Sequence, residues 1–134
     1  MASTFRLQII APDRIFYDDE VEMVAVSTQD GGLGVLARHI PLVAPLVIGR
    51  VKIKKGGQSK EAAISEGFIQ VKRGYTRVIT DSAEWPEEID VERAEAAKKR
   101  AEELLRSRKS HVDIMRAEAA LQRAIIRLRV ANRL

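Results

Sequence analysis

Apolar and polar residues alternate along the first part of the chain and recur every three or four positions along the second. Phe5, Leu7 and Ile9 interleave with Arg6 and Gln8, the period-two pattern of a strand with one buried face. Val21–Val26 is a more apolar run, expected as a strand buried on both faces. Further short runs over 42–48, 50–54, 61–65, 68–72 and 75–81 predict strands. Asp30-Gly31-Gly32, Lys55-Gly56-Gly57-Gln58 and Lys72-Arg73-Gly74 supply turns, where glycine tolerates positive φ. Turn signals spaced near ten residues favour an antiparallel β-sandwich or barrel over βαβ units. Pro41 and Pro45 suit strand starts or edges, where a missing N–H costs little.

Beyond Gly74 there is no glycine, and the sequence turns rich in Ala, Glu, Lys and Arg, the composition of helix. One helix is predicted from Asp90 to Ser107 and a second from about Asp113 to near the C-terminus, each aspartate acting as N-cap. Their starts nearly repeat: Ile89–Ala97 and Val112–Ala120 share six of nine residues, as two capped amphipathic helices would. Ala94, Ala97, Ala101 and Leu104 on one helix face Ile114, Ala117, Leu121, Ala124, Leu128 and Ala131 on the other. That seam of small residues lets two helices approach closely. The short polar segment between them predicts an antiparallel hairpin, marginal in stability without docking or a ligand. The fold class is thus α+β, with a β domain over 1–85, a linker at Glu84–Glu88, and a helical hairpin over 86–134.

Composition narrows the chemistry. With no cysteine, disulfides and thiolate sites are excluded, and the separated His39 and His111 form no metal-ligand cluster. Aromatics at 4% do not supply a stacking platform for single strands. The amino-terminal residues carry no secretory pattern and no run is long enough to span a bilayer, so a cytosolic place, or one on a cytosolic face, is expected. Of the net +4, residues 106–134 alone contribute +6, from eight basic and two acidic groups.

The arginines flanking the helical seam stand out. An antiparallel fold brings Arg93 near Arg127 and Arg100 near Arg123 along one edge of the groove. Like charges so close repel, so either water screens them on a solvated helix face or an anion joins them. Arginine suits phosphate because its planar fork donates paired hydrogen bonds. Glu84, Glu88 and Asp90 would bond a base or ribose, or simply neutralise arginine. Elsewhere, Asp30-Gly31-Gly32-Leu33-Gly34 lacks the Lys-Ser/Thr of a phosphate loop and reads as a turn. Ser65-Glu66-Gly67 has no histidine partner and fails as a nucleophile elbow. No catalytic residue and no metal site is predicted, and the chain reads as a binding or mechanical part.

These residues resemble the epsilon subunit family of F-type ATP synthases, Bacillus-like members in particular. The likeness is carried by Val21-Glu22-Met23-Val24, Gly32-Leu33-Gly34-Val35-Leu36, His39–Leu46 and Glu66-Gly67-Phe68-Ile69-Gln70-Val71. The family usually has Pro-Gly before the histidine, where Ala37-Arg38 stand here, and often Glu where Gly32 stands. The resemblance implies a ten-stranded sandwich followed by a two-helix hairpin. It implies a non-catalytic rotor subunit that binds the gamma subunit and the membrane c-ring. Its hairpin would extend toward the alpha/beta catalytic head, where the basic tail would meet an acidic segment, to inhibit ATP hydrolysis. Bacillus-type members bind ATP through an Ile/Leu-Asp-x-x-Arg-Ala motif, matched by Ile89-Asp90-Val91-Glu92-Arg93-Ala94. The further positions that match are Glu84, Arg100, Arg123 and Arg127. ATP would then be a regulatory ligand, with Mg2+ only as its companion, and the protein would lie peripherally on the cytoplasmic face of a bacterial membrane. The alternative is an adaptor or nucleic-acid module using its basic hairpin, with steep salt dependence on duplex DNA.

Overall fold

The computed structural model describes residues 3–107 and 110–132; Arg108 and Lys109 of the predicted helix connection, and the last two residues, lie outside them. Ten strands come first: β1 (Phe5–Ala11), β2 (Arg14–Val21), β3 (Met23–Thr28), β4 (Gly31–Leu36), β5 (Leu42–Leu46), β6 (Gly49–Lys55), β7 (Gln58–Ile64), β8 (Gly67–Lys72), β9 (Tyr75–Thr80) and β10 (Ala83–Glu84). A 3-10 turn at Pro86–Glu88 leads into α1 (Val91–Ser107) and α2 (His111–Val130).

The strands form two five-stranded sheets, ordered β2-β1-β9-β8-β5 and β10-β7-β6-β3-β4. All pairs are antiparallel except β1 with β9, which run parallel. Leu7, Ile9, Val24, Val51, Ile53, Ile69 and Val78 are fully buried between the sheets, so the alternating residues do form the core. Gly67 is required where β8 crosses β9, because a Cβ there would sit 1.9 Å from the Ile79 carbonyl oxygen.

Two local expectations change. Val21–Val26 is not one strand buried on both faces: Val21 ends β2, and Met23 and Ala25 of β3 are only half-buried while Val24 and Val26 face the core. The predicted turn is there, at Gln29–Asp30 between the paired Thr28 and Gly31, with Gly31 at a φ of 118°, but Gly32-Leu33-Gly34 continues as β4 rather than as turn. A second turn falls later, where Arg38 adopts a left-handed φ of 69° and the His39 amide donates to the Leu36 carbonyl. Only glycine adopts that conformation without strain.

The register of β1 on β2 slips by one between Ile9 and Ile10, leaving Phe16 as an extra residue. Phe16 and Tyr17 therefore both turn inward and bracket Trp85, stacked at 4.4 Å and edge-on at 6.0 Å. The predicted linker is accordingly a packed joint. Arg14 fixes it further through two contacts to the Glu88 carboxylate at 2.8 Å and one to the Ala83 carbonyl at 3.2 Å.

The helices fold back on each other and α2 lies on β6 and β7. Ala94 and Ala101 of α1 are buried with Ala117, Ala124 and Leu128 of α2, the expected small-residue seam. Leu104 departs from it and is 51% exposed near the hairpin tip. A second stripe of α2, Ile126 and Val130, is buried against Ala63 and Ile89, with Ile48 alongside. Ser110, not Asp113, caps α2, accepting from the Asp113 amide at 3.1 Å; Asp90 does cap α1, accepting from the Arg93 amide at 3.1 Å.

Candidate functional site

The start of α1, the joint before it and the last turns of α2 enclose a cleft of about 360 Å³. Glu84, Glu88, Asp90, Arg93, Ala94, Ala97, Arg100 and Arg127 line it. Six of the eight residues expected at a ligand site are therefore gathered: Glu84, Asp90, Arg93, Ala94, Arg100 and Arg127. Ile89 and Arg123 are not. Ile89 is 8% exposed and packs on Ala63, Ile126 and Val130, so it seats the motif rather than lining the cleft. Arg123 turns to the sandwich and donates to Glu66 at 2.9 Å.

The charges in the cleft are unequally satisfied. Arg127 donates from Nε to Glu84 at 2.5 Å. Glu88 is taken by Arg14 and by the Trp85 amide at 2.9 Å. These two hydrogen bonds, Arg14 first, hold the Glu88 carboxyl below its usual range, against a smaller opposing effect of burial. One carboxylate oxygen of Asp90 accepts from the helix backbone. Arg93 and Arg100 are left without an ion pair among the described residues. Two exposed guanidiniums thus stand beside a third, on facing helices, a concentration of positive charge that an anion would neutralise.

Sequence reasoning did not reach Arg14 or the pairing role of Glu66. Both act on residues more than fifty positions away, a relation that no local period carries.

The outer face of the first sheet is a second candidate surface. The registers align Pro45, Phe68, Ile79, Ile10 and Ile15 in one apolar row across all five strands. Ile15 and Phe68 are 62% and 41% exposed, and Val43 beside them 66%. A contiguous apolar strip of this kind on a folded domain marks a docking surface.

Known proteins match both halves. Residues 4–86 match the family described as ATP synthase, delta/epsilon chain, beta-sandwich domain, and residues 87–132 the corresponding long alpha-helix domain. The chain is 67% identical over 105 residues to the ATP synthase epsilon chain of Alkaliphilus oremlandii, covering 78% of each protein. It is 51% identical over 128 residues to that of Bacillus velezensis, covering 96% of this chain and 97% of the relative. Among solved structures it resembles a chain of the Euglena gracilis mitochondrial ATP synthase OSCP/F1/c-ring assembly. There the TM-score is 0.85 at 27% identity, over 98% of this chain and 83% of the other. The chain belongs to the ATP synthase delta/epsilon family, as one of the epsilon chains of the F-type enzyme.

Proposed function

We propose that this protein is the central-stalk rotor subunit of a proton-translocating F-type ATP synthase, with ATP governing whether its hairpin is folded or extended. As an epsilon chain it is structural and regulatory rather than catalytic. The sandwich docks on the gamma subunit through the apolar face of its first sheet. It meets the c-ring through the corner at Ala37–Pro41, where Ile40 is 74% exposed. The protein then lies peripherally on the cytoplasmic face of a bacterial cell membrane. In keeping with that, no helix among the described residues is long and apolar enough to cross one.

The pair Arg93 and Arg100, uncompensated beside Arg127 in the interhelical cleft, carries the nucleotide reading. Bound ATP would supply the negative charge that Arg93 and Arg100 of α1 and Arg127 of α2 then share. Asp90 keeps one carboxylate oxygen for a neutral donor on the ligand. Mg2+ would enter as the companion of the nucleotide. Arg123 contributes from outside the cleft, by fastening α2 to Glu66.

When ATP is scarce the hairpin opens and its basic end reaches the alpha/beta head, blocking hydrolysis. A nucleic-acid module is not favoured, since both domains match one family and two tail arginines are spent on Glu66 and Glu84. Removing residues 106–134 tests the inhibitory role in the assembled enzyme. Hydrolysis should rise. Unchanged hydrolysis would remove that role from this chain.

A further inference from the structure

The outer face of the first sheet also carries a cation with no counterion among the described residues. Arg77 lies on β9, the middle strand of five, between the buried Thr76 and Val78, and so projects outward. Its Nε is shielded from solvent but finds no hydrogen-bond acceptor among the described residues. The guanidinium carbon sits 5.2 Å from the centre of the Tyr75 ring, which steadies it without neutralising it. Its cross-strand neighbours are Gln70 and Gln8, both uncharged. Gln8 is occupied, accepting from the Tyr75 hydroxyl at 2.6 Å and donating to Asp18 at 3.3 Å. Asp18 is itself taken by Arg6 at 2.7 Å. The cation on this face therefore has to look outward for its anion.

We infer that Arg77 is the charged anchor of the docking face, pairing with a carboxylate on the gamma subunit. The inference rests on the reading that gamma docks here. Arg77 makes no ion pair among the described residues, and a partner carboxylate would supply one at its outer guanidinium nitrogens, the buried Nε holding the side chain's stem in place. Arginine near the centre of an interface, with aromatic support, is a typical energetic hot spot. Ile79 of the apolar row lies two residues from Arg77 on the same strand, a separation of roughly 7 Å. The apolar row supplies area, whereas the Arg77 pair fixes register and orientation.

The test measures affinity of the full chain for the isolated gamma subunit at several salt concentrations. Arg77→Gln should weaken binding by about tenfold or more and flatten its salt dependence, and Arg77→Lys should restore part of both. Phe68→Asp, in the apolar row, should abolish binding. Loss with Phe68→Asp but affinity within about twofold for Arg77→Gln would overturn the anchor and leave the docking face standing. Weaker binding by Arg77→Gln with an unchanged salt slope would also overturn it, as a structural effect. Wild-type affinity in Phe68→Asp would dispose of the docking face, and of the anchor with it.

Discussion

Arg127 of α2 donates its Nε hydrogen to the carboxylate of Glu84, the last residue of β10, across 2.5 Å. The contact joins the far end of the hairpin to the strand that leads into its near end. Arg127 thereby stands at the mouth of the interhelical cleft already oriented, its remaining N–H groups available to a ligand. Closing the hairpin and gathering Arg93, Arg100 and Arg127 around one cleft are the same event in this arrangement.

Arg123 should behave differently from the arginines of the cleft. Its pair with Glu66 is 39% and 53% exposed at the two side chains, so water screens it. Arg123→Ala and Glu66→Gln should each loosen α2 slightly, with a coupling of about 0.2–1 kcal/mol in a double-mutant cycle on the thermal or denaturant midpoint. Arg123→Ala should lower ATP affinity less than Arg93→Ala. A larger loss with Arg123→Ala would place that side chain on the nucleotide.

The sandwich should fold alone, but its boundary follows the joint. Trp85 stacks on Phe16 at 4.4 Å and, half-buried, packs against the sandwich core. A fragment ending at Asp90 should melt cooperatively with a β-type spectrum. One ending at Glu84 should be less stable by about 1–3 kcal/mol, the value of burying a large apolar side chain. Equal midpoints would mean that the Trp85 stack adds nothing, and an unfolded longer fragment would refute the independence of the domain.

Most of the architecture was legible because burial enforces period. Strands such as β1, β6 and β9 alternate cleanly, and the alanine seam of the hairpin follows from three-and-four spacing. β2 escaped because its second half, Tyr17-Asp18-Asp19-Glu20, is polar and a bulge breaks its alternation. β4 escaped because its glycines signal a turn, although at an edge their backbones simply pair with β3. The Ile126–Val130 stripe was hidden by the seam beside it, since a helix packed on two sides shows no single apolar face. Arg93, Arg100 and Arg127 were found from heptad position alone. The turn of Arg123 toward Glu66 depends on where the sandwich sits, which helix periodicity does not encode.

The joint also predicts an acid response. The Glu88 carboxyl has a lowered pKa in the folded chain, chiefly through its bond from Arg14. Its contribution is therefore present above the unfolded value of about 4.3 and is lost as pH falls through the folded value. The two side chains are 39% and 34% exposed, which keeps the contribution well under about 1 kcal/mol. Glu88→Gln should be slightly less stable than wild type in urea at pH 7, and the gap should narrow at pH 3. A gap of the same size at both pH values would contradict this origin.

The claim that ATP closes the hairpin by bridging its helices is tested most directly by titrating ATP into the full chain in a calorimeter, with Trp85 emission followed in parallel. Wild type should bind at one saturable site, ADP more weakly and inorganic phosphate more weakly still. Arg93→Ala and Arg127→Ala should each lose about tenfold or more, as expected for a charged hydrogen bond worth roughly 1.5–3 kcal/mol. Absence of saturable binding, or equal affinity in wild type and both variants, would contradict the nucleotide site and leave these arginines to the catalytic head.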